Sequence, residues 1–382
     1  MMELTINRNL AGVKASGIRR FGALVRQTPG AIGLTIGEPD LDTPAEVSAA
    51  AAAALAAGQT HYPPNNGYPW LLKAIAGFER EKHGLCYDPE EIVVTVGATE
   101  AIFASLFAIL NPGDEVIIPT PAFGLYESIV TLCGGRAVFL PTEDNGFQID
   151  PAALAAAMTE RTKAVILTSP NNPTGCVYTP ETLEAVHALL RERAVFVLCD
   201  EVYRQLTYVE DFRSFSGFAD MRDRIIVIQS FSKPYAMTGW RMGYLMADRP
   251  VKEKIQLAHQ YAVVSVPAFL QKGCLAALEH DVAPERALFR RRRDEVCRRL
   301  REMGLAFREP EGAFYVFVDI RKFGMDSVAF CEKMLKEALV GVVPGAYFGT
   351  EGFFRLSYCY SDEELKTALD RMEEYVRAQS TQ

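Results

Sequence analysis

The chain reads as an α/β protein, with a mostly parallel sheet covered by helices on both faces and joined to a smaller α+β unit. Three observations predict this. Between roughly Glu46 and Asp281, short β-branched runs alternate with helical stretches, the pattern of a parallel sheet whose crossovers are helices. At 382 residues, with 49% apolar and 23% charged content, the chain can bury large cores and is too long for one ordinary domain. A long helical region around Val266 to Met303 then leads into mixed strands and helices. The expected division is an N-terminal segment (1–45) packing on the small unit or a partner subunit, a large unit (46–281) and a small C-terminal unit (282–382).

In chain order, the Ala-rich stretch from Ala45 to Ala57 is a helix with a weak apolar face. Ile92 to Phe103 reads as a strand turning into a helix, with Gly97 at the tight junction and Ala98 and Thr99 offering free backbone N–H groups at the helix start. Such a terminus binds phosphate through unpaired donors and the helix dipole. Glu100, one turn in, is ordinary capping chemistry. Strands follow at Asp114–Pro119, Ala137–Leu140, Lys163–Leu167, Ala194–Cys199 and Ile225–Ile228. The small unit carries the run Ala313–Val318, a helix from Ser327 to Leu339, a strand within Gly352–Tyr358 and a last helix opening at Ser361-Asp-Glu-Glu.

Chemistry concentrates at strand ends. Ser169-Pro-Asn-Asn-Pro-Thr-Gly175 directly follows a buried strand, at the sheet edge where α/β proteins bind ligands. Its prolines stiffen the turn that aims Asn172. A second buried strand ends in Asp200, a carboxylate with no reason to be there unless a cation faces it; Tyr203 follows three residues later. Ser230-Phe-Ser-Lys233 precedes Arg241 by a short turn. Alone, such a lysine is an ordinary surface residue. Beside the hydroxyls of Ser230 and Ser232 and the Arg241 guanidinium, it suits a cofactor aldehyde whose phosphate those groups hold.

Asn-Pro-Thr-Gly, then Asp-Glu-Val-Tyr, then Ser-x-Ser-Lys with Gly-Trp-Arg-x-Gly, in that order, resembles the class I and II aminotransferases over nearly the whole chain. The resemblance implies fold type I of the pyridoxal phosphate enzymes, with a mostly parallel seven-stranded sheet and a homodimer with shared active sites. It implies that Lys233 is the Schiff-base lysine and proton shuttle, Asp200 the partner of the ring nitrogen, and Asn172 and Tyr203 partners of the ring oxygen. It further implies Ser230, Ser232, Arg241, Gly97, Ala98 and Thr99 around the phosphate, and Phe123 stacked on the ring. His61-Tyr62-Pro-Pro-Asn-Asn-Gly67 resembles the loop through which one subunit lends a tyrosine hydroxyl to its neighbour's phosphate, which assigns Tyr62. Arg355 stands where the family keeps its carboxylate clamp, with Gly37 in the loop that approaches the same carboxylate. Among subgroups, Ser16-Gly-Ile-Arg-Arg-Phe21, Met237–Arg241 and Gly312–Phe317 are similar to the bacterial N-acetyl-diaminopimelate, aromatic and aspartate aminotransferases. Relatives specific for aspartate often carry a lysine where Thr99 stands. Ile18, Arg19, Arg20 and Phe21 belong to a segment that commonly closes over substrate.

The expected reaction is a ping-pong transfer of an amino group from an L-amino acid to a 2-oxo acid, with 2-oxoglutarate as the acceptor. A β-lyase on the same fold is the alternative, because the pocket decides which bond breaks. A net charge of −8 attracts neither nucleic acid nor anionic membrane, and the run Arg290–Arg293 reads as a solvated helix face. Eight scattered cysteines without a C-x-x-C pair or histidine cluster point to reduced thiols in the cytoplasm and to no metal site.

Overall fold

The computed structural model describes residues 5–13 and 15–379; positions 1–4, 14 and 380–382 of the expected terminal segments lie outside the described residues. A seven-stranded sheet forms its centre. By first residue, the strands lie in the order 92, 243, 225, 196, 162, 115, 136. The neighbours from Ile225–Ser230 to Arg136–Pro141 pair in parallel, and only Gly243–Ala247 runs against both of its partners. Its Gly-Tyr-Leu-Met-Ala sequence has no β-branched residue, so the pattern that exposed the other strands passes over it.

Alternation along the strands divides the core into two. Val165, Leu167, Val197 and Cys199 face one layer with Leu71, Ile75, Val186 and Cys274 from covering helices. Ala164, Ile166 and Leu198 face the other, against Ala101, Ile102, Leu106 and Val130. Period-two side chains buried on both faces are what a helix-covered parallel sheet requires. The Ala45–Ala56 helix buries Val47, Ala51 and Ala54 on its one weak apolar stripe.

A second, antiparallel sheet in the order Val343–Pro344, Phe353–Ser357, Tyr315–Asp319, Ala306–Phe307 underlies the C-terminal unit. The N-terminal segment runs beside it. Ile32–Gly33 pairs in parallel with Val340–Gly341, and the Ser357 N–H donates to the Leu34 carbonyl at 3.0 Å. Residues 34–40 are thereby laid along the Arg355 strand, which brings Thr35 and Gly37 to the site.

Two expectations need correction. The helical region from Val266 to Met303 is two helices, Leu270–Glu279 and Ala283–Glu302. Pro284 opens the second, and Asp281 accepts from the Ala283 N–H at 3.0 Å; both are start signals, not continuation. The Arg290–Arg293 face is also only half solvated. Arg290 and Arg291 are exposed, whereas Arg292 is buried and forks onto Asp40 at 2.6 and 2.8 Å. Arg293, buried too, donates to the Pro310 carbonyl at 2.8 Å. Four consecutive residues span a full helical turn, so they cannot share one face.

Among the described residues, no helix is long and apolar enough to cross a membrane.

Candidate active site

The carboxyl ends of three neighbouring parallel strands converge. In register, Thr168 and Ile228 flank Asp200, and the chain continues from Ser230 to Lys233. Asp200 is buried, and its Oδ2 accepts from the Tyr126 hydroxyl at 2.6 Å, which accepts from Thr168 Oγ1 at 3.0 Å. Burial raises the Asp200 pKa, while the Tyr126 hydroxyl and the Val202 N–H pull it back. Such a carboxylate is fully ionised only when a cation offsets its desolvation.

The Lys233 Nζ donates to the Gly37 carbonyl at 2.6 Å. Burial lowers its pKa to about 8, Cys359 and Glu38 oppose the shift, and the Arg355 and Arg241 charges add to it. An amine so placed is partly neutral near working pH and can act as nucleophile or base.

Around Gly37 the remaining polar groups form one connected set. A Cβ at Gly37 would lie 1.6 Å from the Tyr315 hydroxyl, so only glycine fits. Tyr315 shares a 2.8 Å hydrogen bond with the Tyr203 hydroxyl and lies under the Arg355 guanidinium, 4.4 Å from ring centroid to Cζ. Arg355 is 2% exposed. Its Nη1 donates to Asn172 Oδ1 at 2.8 Å and its Nη2 to the Thr35 carbonyl, while Nε is buried with no partner. A guanidinium fixed this way, with a donor left over and no ion pair among the described residues, is built for an anionic ligand. The Asn172 amide nitrogen is left for a further acceptor.

At the other end, the Gly97–Ile109 helix has no side-chain cap on its first turn, leaving N–H groups of Ala98 and Thr99 for an anion. Gly97 holds φ +70°, and a Cβ there would come 2.8 Å from Arg241 Nη2, so the guanidinium rests against the helix start. Arg241 Nη1 donates to the Thr238 carbonyl at 2.8 Å. Ser230 and Ser232 are buried, the Ser230 hydroxyl accepting from the Ser232 N–H at 3.0 Å. Phe123 is partly buried, its ring edge-on to Tyr126 at 6.4 Å.

Tyr62 stands apart from this set, 89% exposed. In the segment expected over the substrate, Phe21 is buried in the C-terminal core, Ile18 packs on a small cluster with Phe317 and Phe348, and Arg19 and Arg20 are exposed. Three contacts of the site were not singled out from the sequence: Tyr126, Tyr315 and Cys359, whose Sγ lies 3.4 and 3.2 Å from the Ile36 and Glu38 carbonyls. Tyr126 stands in the first turn of the helix Leu125–Leu132, just after Phe123.

A family model described as "Aminotransferase class I and II" matches residues 29–372. The chain belongs to this aminotransferase family. It is 42% identical to a protein of Bacillus subtilis named a probable N-acetyl-LL-diaminopimelate aminotransferase, the match covering 98% of this chain and 96% of that protein. An aspartate aminotransferase of Pyrococcus abyssi is 41% identical, over 96% of each chain. Among solved structures, the aspartate aminotransferase of Thermus thermophilus with maleate superposes with a TM-score of 0.93 at 37% identity, covering 97% of this chain and all (100%) of that one. The aromatic aminotransferase of Pyrococcus horikoshii gives 0.89 at 39% identity, over 94% and 99%. This aminotransferase therefore has the fold type I architecture expected from its motifs, with its polar groups gathered at the carboxyl edge of the large sheet.

Proposed function

We propose that this aminotransferase uses pyridoxal 5′-phosphate to move an amino group from an L-amino acid to a 2-oxo acid, 2-oxoglutarate being the acceptor. The reading is carried by the gathering at one sheet edge of Lys233, an amine held against the Gly37 carbonyl with its pKa lowered to about 8, and Asp200, a buried carboxylate, alongside an anion cradle and a carboxylate clamp. The donor set fits the cofactor: Gly97, Ala98, Thr99, Ser230, Ser232 and Arg241 for its phosphate, Asp200 for its ring nitrogen, Asn172 and Tyr203 for its ring oxygen, Phe123 for its face. When bound there, it supplies an aldehyde that condenses with amines and a protonated ring that accepts the electron pair left by a departing α-proton.

The rest is the work of the chain's own residues. Asp200 would hold the cofactor's ring nitrogen, whose charge would offset the burial of the carboxylate, and Tyr126 fixes that carboxylate through its Oδ2. Arg355 takes the α-carboxylate of donor and acceptor in turn, so the first product must leave before the second substrate enters. Lys233 Nζ, released from the Gly37 carbonyl, would accept the substrate α-proton and hold it for return on the far side of the nitrogen being transferred. Tyr315 packs beneath the Arg355 fork and fixes its plane.

The relatives reported above are named as aminotransferases, and nothing favours the β-lyase reading. Maleate in the Thermus relative is a dicarboxylate, which agrees with a second carboxylate being tolerated near the clamp and supports 2-oxoglutarate. A homodimer belongs to this proposal: Tyr62 at 89%, Tyr261 at 84% and Val264 at 54% exposure suit a surface that a second copy covers, with Tyr62 reaching the neighbour's phosphate. So do the 1–45, 46–281 and 282–382 division and a cytoplasmic location.

A panel of amino donors tests the reading, with 2-oxoglutarate as acceptor and cofactor absorbance followed in each half-reaction. Spectral change with a donor alone, reversed by the oxo acid, is the expected result. Ammonia and pyruvate released without any acceptor would point to a lyase.

A further inference from the structure

One buried histidine takes no part in the chemistry proposed above. His259, fully buried on the helix Arg249–Val263, has its Nε2 2.9 Å from the Asn65 carbonyl oxygen. A carbonyl only accepts, so Nε2 carries the hydrogen. Its Nδ1 lies 3.2 Å from both oxygens of Glu100. Glu100 in turn accepts from the Val96 N–H at 3.2 Å, immediately before the Gly97–Thr99 turn. The ring therefore spans two separate segments, one on each nitrogen.

The second segment is the loop that carries Tyr62. Asn65 is clasped twice, through its carbonyl by His259 and through its Nδ2, which donates to the Val264 carbonyl. Val264 holds φ +67°, a region that β-branched residues avoid, and such strain persists only where the surroundings impose it. Beyond Asn65, the Asn66 carbonyl accepts from the Val94 N–H at 3.0 Å, which anchors the loop to the strand leading into Gly97. Both ring nitrogens are thus engaged, one by the loop at Asn65 and the other by Glu100 in the first turn of the Gly97–Ile109 helix.

We infer that His259 is a positioning residue that couples the phosphate-binding helix start to the Tyr62 loop. This rests on the proposed phosphate site shared between two subunits. Through Glu100 and Asn65, the ring holds Tyr62 at the angle from which it reaches the neighbouring subunit's phosphate. Loss of the ring leaves both segments folded but no longer in register with one another.

The test is a double-mutant cycle on cofactor affinity. Apo protein is titrated with pyridoxal 5′-phosphate, binding is followed by cofactor absorbance, and Kd is compared for wild type, Tyr62→Phe, His259→Phe and the double variant. Losing one hydrogen bond to a charged group raises Kd roughly tenfold, which is expected for Tyr62→Phe in the wild-type background. In the His259→Phe background the same step should be under about threefold, because Tyr62 is already misplaced. Pyridoxal without the phosphate should show no Tyr62 effect in any form. If His259→Phe does not fold, Glu100→Ala makes the same cut at a partly exposed helix start. An undiminished Tyr62 factor in the folded His259 or Glu100 variant overturns the inference alone. A wild type that binds no pyridoxal phosphate overturns the functional reading instead, and no Tyr62 effect in wild type overturns the shared phosphate site and this inference together.

Discussion

The Arg355 side chain is fixed before any substrate arrives: one amino group on Asn172, another on Thr35, and the plane between Tyr315 and Phe348 rings at 4.4 and 4.9 Å. Lysine cannot reproduce a planar fork. Arg355→Lys should raise KM for both amino and oxo acid by about a hundredfold, since a lost charge-assisted hydrogen bond is worth about 1.5–3 kcal/mol, with cofactor absorbance unchanged; steady-state kinetics check this. Tyr126→Phe removes the donor that offsets burial at Asp200, so the carboxyl pKa rises further, and kcat should fall about tenfold because ring protonation weakens. Stopped-flow half-reactions would reveal it. Lys233 predicts a pH effect on the apo protein. Its folded pKa, about 8, lies below the 10.5 of an ordinary lysine, so the burden of the desolvated charge is fully present below pH 8 and disappears as pH rises through 10.5. Lys233→Met should therefore be more stable than wild type at pH 7, and urea midpoints of the two apo proteins should converge by pH 10.5. Asp200 was legible as a carboxylate closing a buried strand, whereas Lys233 and Arg355, ordinary on their own, were legible through the motifs around them. Tyr315 was not, because an aromatic in an apolar strand looks like core until the fold puts Gly37 against its hydroxyl.

Local elements followed the sequence closely wherever the code is local. The last helix begins where Ser361 and Glu364 form a reciprocal pair, the Ser361 hydroxyl donating at 2.7 Å and accepting from the Glu364 N–H at 3.3 Å. Ser361→Ala should lower stability by about 1 kcal/mol, seen as a small drop in Tm with turnover intact. Gly97 is the opposite kind of position. At φ +70°, with Arg241 2.8 Å from a would-be Cβ, Gly97→Ala should disturb the anion cradle and weaken cofactor binding by about tenfold or more while sparing most of the fold. Equilibrium dialysis measures that directly. The Gly243–Ala247 strand escaped notice because its conformation is imposed by the two strands it pairs with. The break between Leu270–Glu279 and Ala283–Glu302 was written in Asp281 and Pro284, which a reading of the region as one helical stretch passes over.

For the whole molecule, the order of the strands does not follow from sequence pattern. The mostly parallel sheet and its covering by helices on both faces do, through the alternation of strand and helix, which is visible in a sequence. Arg292 shows what is not. Its partner Asp40 lies far away in the chain, and only the path of the N-terminal segment along the Arg355 strand brings the two within 2.6 Å. The buried arginine on a basic run therefore reads as surface until the tertiary structure is known. The same long-range path makes the site a joint product of N-terminal segment, large sheet and small sheet, with Gly37, Lys233 and Arg355 drawn from each. Sedimentation should give a dimer, and Tyr261→Glu on the exposed apolar face should yield monomers with reduced cofactor affinity.

The central claim is that Lys233 is the amine that engages the cofactor. Incubating the protein with pyridoxal 5′-phosphate, reducing with borohydride and mapping the modified peptide by mass spectrometry tests it most directly. The account predicts a single stable modification on the peptide containing Lys233, absent from Lys233→Ala; a modification at another lysine, or none, would contradict it.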